Sequence, residues 1–177
     1  YKISAKIQKL IKDMINTMYA GNGVGLAAPQ VGENYKIFVI DISQSNEANP
    51  IVFINPQIVK KSGAVNSYEG CLSFPEVYTD VKRYSDIMIK AKDRFGKDFV
   101  LEAKNGELLA RAIQHEMDHL NGVLFIDRVR NISDANEKLN KHGLPNIDKN
   151  YIIEEDELEK AIINGNSIYN KSSTRKY

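Results

Sequence analysis

One cysteine in 177 residues excludes an internal disulfide. The stapled scaffolds of small secreted proteins are therefore ruled out, and a reducing compartment is favoured. An excess of charge of either sign is also lacking: 24 Lys and Arg face 23 Asp and Glu, for a formal net charge of +1. Neither the first 130 residues nor the remainder is strongly polarised, so direct nucleic-acid binding is not expected. No apolar run approaches the roughly 18 residues of a membrane-spanning helix, and a membrane is not expected as a partner. What is present, 42% hydrophobic and 27% charged residues, describes an ordinary globular chain. At this length about 70% of the unfolded surface is buried, enough for a substantial core.

The sequence begins at Tyr1 and shows no charged segment leading into an apolar stretch. A start inside the gene product, after a removed targeting segment, is one expectation.

Ile3, Ile7, Leu10, Ile11, Met14, Ile15 and Met18 recur at spacings of three and four, which predicts an amphipathic helix from about Ser4 to Ala20. Gly21, Gly23 and Gly25 end it. Short β-rich runs follow at Lys36–Asp41, Ile51–Ile54, Ile58–Lys60, Val77–Val81, Asp86–Ala91 and Asp98–Ala103, separated by turn residues. A second helix is predicted from about Gly106 to Leu120, with Asn105 as N-cap and Asn121-Gly122 closing it, and Val123–Ile126 then reads as a strand. The expected fold is α+β, mostly antiparallel sheets packed around this second helix, with a helix at the N terminus. Residues 1–130 are expected to form one domain. Residues 131–177 form an extension with helix candidates at Asp134–Lys141 and Glu154–Ile163 and a polar, mobile tail from Asn164.

The scarce soft ligands are not scattered. Of three histidines, His115 and His119 lie four positions apart in His115-Glu116-Met117-Asp118-His119, an HExxH sequence inside the predicted helix. Positions i and i+4 share a helix face, so both imidazoles reach one ion with Glu116 beside the first. The plainer reading is a solvated face of His, Glu and Asp, but this order is rare in any shuffling of a chain with three histidines.

Two histidines need a third protein ligand. The longer downstream pattern HExxHxxGxxH holds as far as Gly122 and then meets Phe125 where its third histidine belongs. Glu137, 18 residues beyond His119, is a downstream alternative. Upstream, Cys71 lies in Glu69-Gly70-Cys71-Leu72-Ser73, between predicted strands. A thiolate suits a borderline ion, and a Cys/His/His set leaves a tetrahedral ion one open position, yet a lone cysteine is more often a buried hydrophobe. A closed structural site would need a fourth ligand such as His142. The third motif is Gly23-Val24-Gly25-Leu26-Ala27-Ala28-Pro29-Gln30. Its small residues permit close backbone approach and Gln30 offers an amide donor, but by itself it reads as a tight loop.

Together, GVGLAAPQ at Gly23–Gln30, EGCLS at Glu69–Ser73 and QHEMDHLNG at Gln114–Gly122 resemble, in order and separation, the three signature motifs of the peptide deformylase family. The resemblance spans roughly Ile11 to Arg128. It implies a metalloenzyme that removes the formyl group from the N-terminal methionine of newly made proteins, with Fe(II) as the native ion and Zn, Ni or Co able to replace it. By matching positions, the ligands are Cys71, His115 and His119, the general base and acid is Glu116, and the oxyanion donors are the Gln30 amide and the Leu72 backbone N–H. The attacking water is activated by the ion. Leu108 and Ala112, on the face of the ligand helix that carries His115, with Val24 and Gly25, are candidates to line the methionine pocket, and core packing accounts for their periodicity equally well. Glu69 and Arg83 are candidates for a pair steadying the cysteine loop. Formylmethionyl nascent peptides near the ribosome are the implied partners. The implied location is bacterial cytoplasm, or an organelle after loss of a transit peptide. The family also has a strand and a proline-containing turn before its first helix, where this sequence starts, and a single long terminal helix in bacterial members that the segment after Arg130 does not match.

Overall fold

The computed structural model describes residues 2–43, 46–154 and 167–170. Helix α1 (Ala5–Ala20) begins where the Ser4 hydroxyl accepts the N–H of Ile7 at 3.3 Å, satisfying one of the donors that a helix start leaves open. Ile11, Met14 and Met18 form its buried stripe. Strands β1 (Gly25–Ala27), β2 (Ile37–Ile40), β3 (Ile51–Ser62), β4 (Ala64–Cys71), β5 (Phe74–Arg83), β6 (Asp86–Lys92) and β7 (Asp98–Ala103) precede α2 (Leu108–Leu120), α3 (Ile132–Lys141) and β8 (Ser167–Asn170). They build a five-stranded antiparallel sheet in the order β1-β2-β3-β6-β7 and a three-stranded sheet in the order β5-β4-β8. In the smaller sheet β8 runs parallel to β4. The architecture is the expected α+β arrangement of mostly antiparallel sheets around α2.

The apolar run Ile37–Ile40 does not alternate because both of its faces are covered. Ile37 and Val39 pack with Leu26, Val52 and Ile54 against α1. Phe38 and Ile40 point the other way, with Val24, Ala27 and Phe53, towards Ala110, Ala112 and Ile113 of α2. Phe38 and Phe53 stack at 4.5 Å between centroids, each side chain contributing on the order of 1.5–3 kcal/mol by burial. A third core joins Cys71, Val77 and Val81 of the smaller sheet to Phe125, Val129, Ala135 and Leu139. Helix α2 thus lies between sheets, and every residue from Ala110 to Glu116 is buried.

Several local expectations are corrected. Asn105 does not cap α2: Asn105 and Gly106 both have positive φ (59° and 62°) and form the turn after β7, so Glu107 stands at the cap position without a side-chain bond. Gly106 is required there twice over, because an added Cβ would meet Val65 Cγ2 at 2.9 Å. Val123–Ile126 is not a strand. Val123 N–H caps Asp118 O at 2.9 Å and the chain enters a 3-10 turn at Phe125–Arg128, its apolarity serving burial of Phe125. Ile51–Ile54 and Ile58–Lys60 belong to one bulged strand, β3. Cys71 is the last residue of a strand, β4, that the pattern of the sequence does not reveal, and β1 occupies part of the glycine-rich loop. The expected helix over Glu154–Ile163 falls outside the described residues apart from Glu154, and within the expected mobile tail Ser167–Asn170 pairs as a strand.

Candidate metal centre

Cys71 is carried by the end of β4, and His115 and His119 by successive turns of α2. Among the described residues these three form the group of metal-ligating side chains that the fold brings together, their ligand atoms all within 4.8 Å of one another. Cys71 Sγ lies 3.4 Å from His119 Nε2. Cys71 and His115 are essentially inaccessible, whereas His119 keeps 9% of its surface exposed and marks the open side. Glu137, the downstream alternative, sits on α3 with its exposed carboxylate paired to Lys141, and His142 is the C-cap residue of that helix. Phe125 packs 5.9 Å from the His115 ring, filling with an aromatic face the place that a third histidine would take in the longer motif.

His115 Nδ1 lies 2.9 Å from Glu69 Oε1, so the ring donates to that carboxylate and presents Nε2 to the cluster. Glu69 is itself gripped by the Arg83 fork, Nη2 to Oε1 at 2.7 Å and Nε to Oε2 at 2.9 Å, and all of these groups are buried. Burial works to raise the Glu69 pKa, but the Arg83 charge and its hydrogen bonds prevail and hold the carboxyl well below the usual carboxylate range.

The groups that face the ion position have the opposite balance. Burial pushes the Cys71 thiol up to about 12, against hydrogen bonds from Ser73, and pushes His119 down to about 3. Glu116 is raised well above the usual range, again chiefly by burial. Both Glu116 carboxyl oxygens are buried with no hydrogen-bond partner among the described residues. Buried donors of this kind fit a divalent cation: held by Cys71, His115 and His119, it would compensate the thiolate, and a water beside it would give Glu116 a partner.

The glycine-rich segment is shaped around these side chains. A Cβ added at Gly25 would collide with the Glu116 carboxylate, and one added at Gly23 would stand 2.8 Å from Leu72 Cδ1. The loop therefore seats both Glu116 and the residue after Cys71. Gln30 accepts the Ala27 N–H through Oε1 at 2.9 Å, which turns its amide NH2 towards Ser73 Oγ (3.1 Å) and Cys71 Sγ (3.6 Å). Val24 and Ala112 are buried in the core between sheet and α2, and Leu108 packs partly buried against it. Gly25→Ala is expected to keep the fold, because the clash is with the end of a side chain, yet to displace Glu116. Activity should fall about a hundredfold at unchanged metal content, the usual consequence of misplacing a reacting group by about 1 Å. Wild-type turnover in Gly25→Ala would show that this contact is irrelevant.

Sequence reasoning passes over Ser73, Asp118 and Arg128. Asp118 occupies a variable position of HExxH, and only its burial amid arginines distinguishes it. A groove of about 950 Å³ opens behind α2, lined by Gln114, Met117, Asp118 and Arg128 and not by Cys71, His115 or His119.

A cysteine at the end of β4 and two histidines of an HExxH helix, clustered beside a buried glutamate, are the donor set of metal-dependent hydrolases. The family model described as Polypeptide deformylase matches residues 1–135. The chain belongs to the polypeptide deformylase family, metal-dependent enzymes that remove the formyl group from nascent peptides. It is 48% identical over 144 residues to a peptide deformylase of Prochlorococcus marinus (strain AS9601), covering 80% of this chain and 71% of that protein. It is 53% identical over 127 residues to one of Dictyoglomus turgidum, covering 72% and 79%. A peptide deformylase of Synechococcus elongatus, solved in complex with actinonin, superposes with a TM-score of 0.78 at 43% identity, covering 88% of this chain and 84% of that one. No helix among the described residues is long and apolar enough to cross a membrane.

Proposed function

We propose that this enzyme hydrolyses the formyl amide of N-formylmethionyl peptides at one divalent ion held by Cys71, His115 and His119. The observation that carries the reading is the convergence of these three donors beside the buried, unbonded carboxyl of Glu116. When bound, the ion activates water for attack at neutral pH. Glu116 takes the proton of the attacking water and returns it to the leaving amine, a task suited to a carboxyl whose pKa burial has raised. The Gln30 NH2 and the Leu72 backbone N–H face the oxygen on which charge develops. The carbonyl of Gln30 is occupied by Ala27, so its amide is already oriented to donate. Val24, Gly25, Leu108 and Ala112 form the wall against which the methionine side chain lies. Fe(II) is the native ion, and Zn, Ni and Co substitute, since a Cys/His/His set accepts all four. Residues 1–130 are the catalytic unit, and Ala135 and Leu139 at the start of the extension 131–177 pack on the core around Cys71. The enzyme works in the cytoplasm, near ribosomes that release its substrates.

Metal content measured anaerobically together with turnover of a formylmethionyl tripeptide tests this reading. Wild type should hold one ion per chain and be active, and Cys71→Ala should lose the ion and the activity together. A Cys71→Ala protein that retains its full metal content would transfer the third-ligand role to another residue, Glu137 first.

A further inference from the structure

The buried charges behind His115 do not stop at Arg83. Arg83 Nη1 donates to Asp118 Oδ2 at 2.5 Å. Asp118 also accepts two bonds from Arg128, Nε to Oδ2 at 2.7 Å and Nη2 to Oδ1 at 2.9 Å. The result is one chain of contacts, His115–Glu69–Arg83–Asp118–Arg128, in which Glu69 and Arg83 have at most 1% of their side chains exposed, Asp118 has 8% and Arg128 16%. Two guanidinium groups balance two carboxylates. Arg128 sits at the end of the 3-10 turn after α2, and the residues that follow it are tied to β5, the strand that carries Arg83: Val129 bridges Val81, and Arg130 N–H donates to Asp80 O at 3.1 Å.

We propose that Arg128 is a positioning residue for the metal ligand His115, acting through Asp118, Arg83 and Glu69. The inference rests on the metal site proposed above and deepens it. The physical reason is competition for one planar fork. Arg83 offers one edge to Glu69 and its remaining nitrogen to Asp118, so the orientation of the guanidinium depends on both carboxylates keeping their places. The Arg128 fork fixes Asp118 from the far side. Without it, two carboxylates share a single guanidinium, Asp118 is free to rotate and draw Arg83 off Glu69, and the hydrogen bond that sets the tautomer and ring angle of His115 loosens.

Cobalt(II) is the probe. Its visible absorption reports ligand geometry, and transfer of the ion to a chelator reports its dissociation rate, neither of which depends on turnover. Relative to wild type, Arg128→Met is expected to release cobalt about tenfold faster, the lower end of what an outer partner of a ligand contributes, with altered absorption bands. Its kcat should fall at unchanged KM. Arg128→Lys, which keeps the charge but not the fork, should lie between the two. In a Glu69→Gln background the Arg128 substitution should add little, because the route to His115 is already cut. Wild-type dissociation and absorption in Arg128→Met, or equal effects of that substitution in the wild-type and Glu69→Gln backgrounds, would overturn the proposal. If Arg128→Met does not fold, Arg128→Lys with and without Glu69→Gln decides the matter by the same criteria. Failure of the wild type itself to bind one cobalt per chain would instead strike the metal-site reading.

Discussion

Glu116→Ala is expected to bind its metal ion as wild type does and to lose deformylation by a factor on the order of 10²–10⁴, the range over which a positioned general acid and base acts. Among the described residues the Glu116 carboxyl has no hydrogen-bond partner and is none of the three clustered donors, so truncating it deletes neither a ligand nor a structural side-chain bond. It removes a buried carboxyl that bonds to no side chain around it, and the fold should tolerate the change. The loss should therefore fall on kcat, with metal stoichiometry and the thermal unfolding midpoint close to wild type. Glu116→Gln keeps volume and shape while deleting the titratable proton, and it should be as inactive as the alanine variant. Substantial turnover in either, at full metal occupancy, would remove Glu116 from the chemistry and leave Gln30 and Leu72 as the only groups assigned to the transition state.

Much of this site is legible from spacing, and the rest is hidden for a definite reason. HExxH predicts its geometry because the helix period puts His115 and His119 on one face. Cys71 is legible only beside the other motifs, because β4, the strand that delivers it, has no strand-like pattern. Asn66, Ser67 and Glu69 of β4 are polar yet buried. Ser67 and Glu69 meet α2, where Arg111 Nη1 donates to Ser67 Oγ at 3.4 Å and His115 to Glu69, and Glu69 is also held by Arg83 of β5, so function and helix packing override the alternation that marks an ordinary half-buried strand. The apolar run Val123–Ile126 misleads in the opposite sense. Its hydrophobicity is that of a half-buried turn that inserts Phe125 into the core, held by the Asp127 carboxylate, which accepts the Leu124 N–H at 2.8 Å. Gly23 and Gly25 are readable as a place of close approach, but what approaches, Leu72 and Glu116, is a tertiary fact.

The charged layer behind the ligands carries the largest expected effect on stability. Arg83→Met leaves the Glu69 carboxylate, entirely buried, without the fork that holds it ionised, and removes one of the two partners of Asp118. Breaking a buried pair from one side typically costs about 3–5 kcal/mol, because the surviving charge must be neutralised or left uncompensated. The sign with pH follows from the direction of the shift. In wild type Glu69 is held below its unfolded value, so its contribution is present above about pH 4.3, the usual carboxylate pKa, and is lost as pH falls through the lower folded value. In Arg83→Met burial acts without its largest opponent and the folded pKa rises above the unfolded one, so the variant is penalised near neutrality and relieved on acidification. The stability gap between the two proteins, measured by urea unfolding with chelator present, should therefore be widest at pH 7 and narrow towards pH 5. Combining Arg83→Met with Glu69→Gln should recover part of the loss at pH 7, since a neutral amide no longer needs a counter-charge. A gap that is constant with pH, or a double variant less stable than Arg83→Met alone, would mean that lost packing of the arginine stem, rather than an uncompensated carboxylate, accounts for the destabilisation.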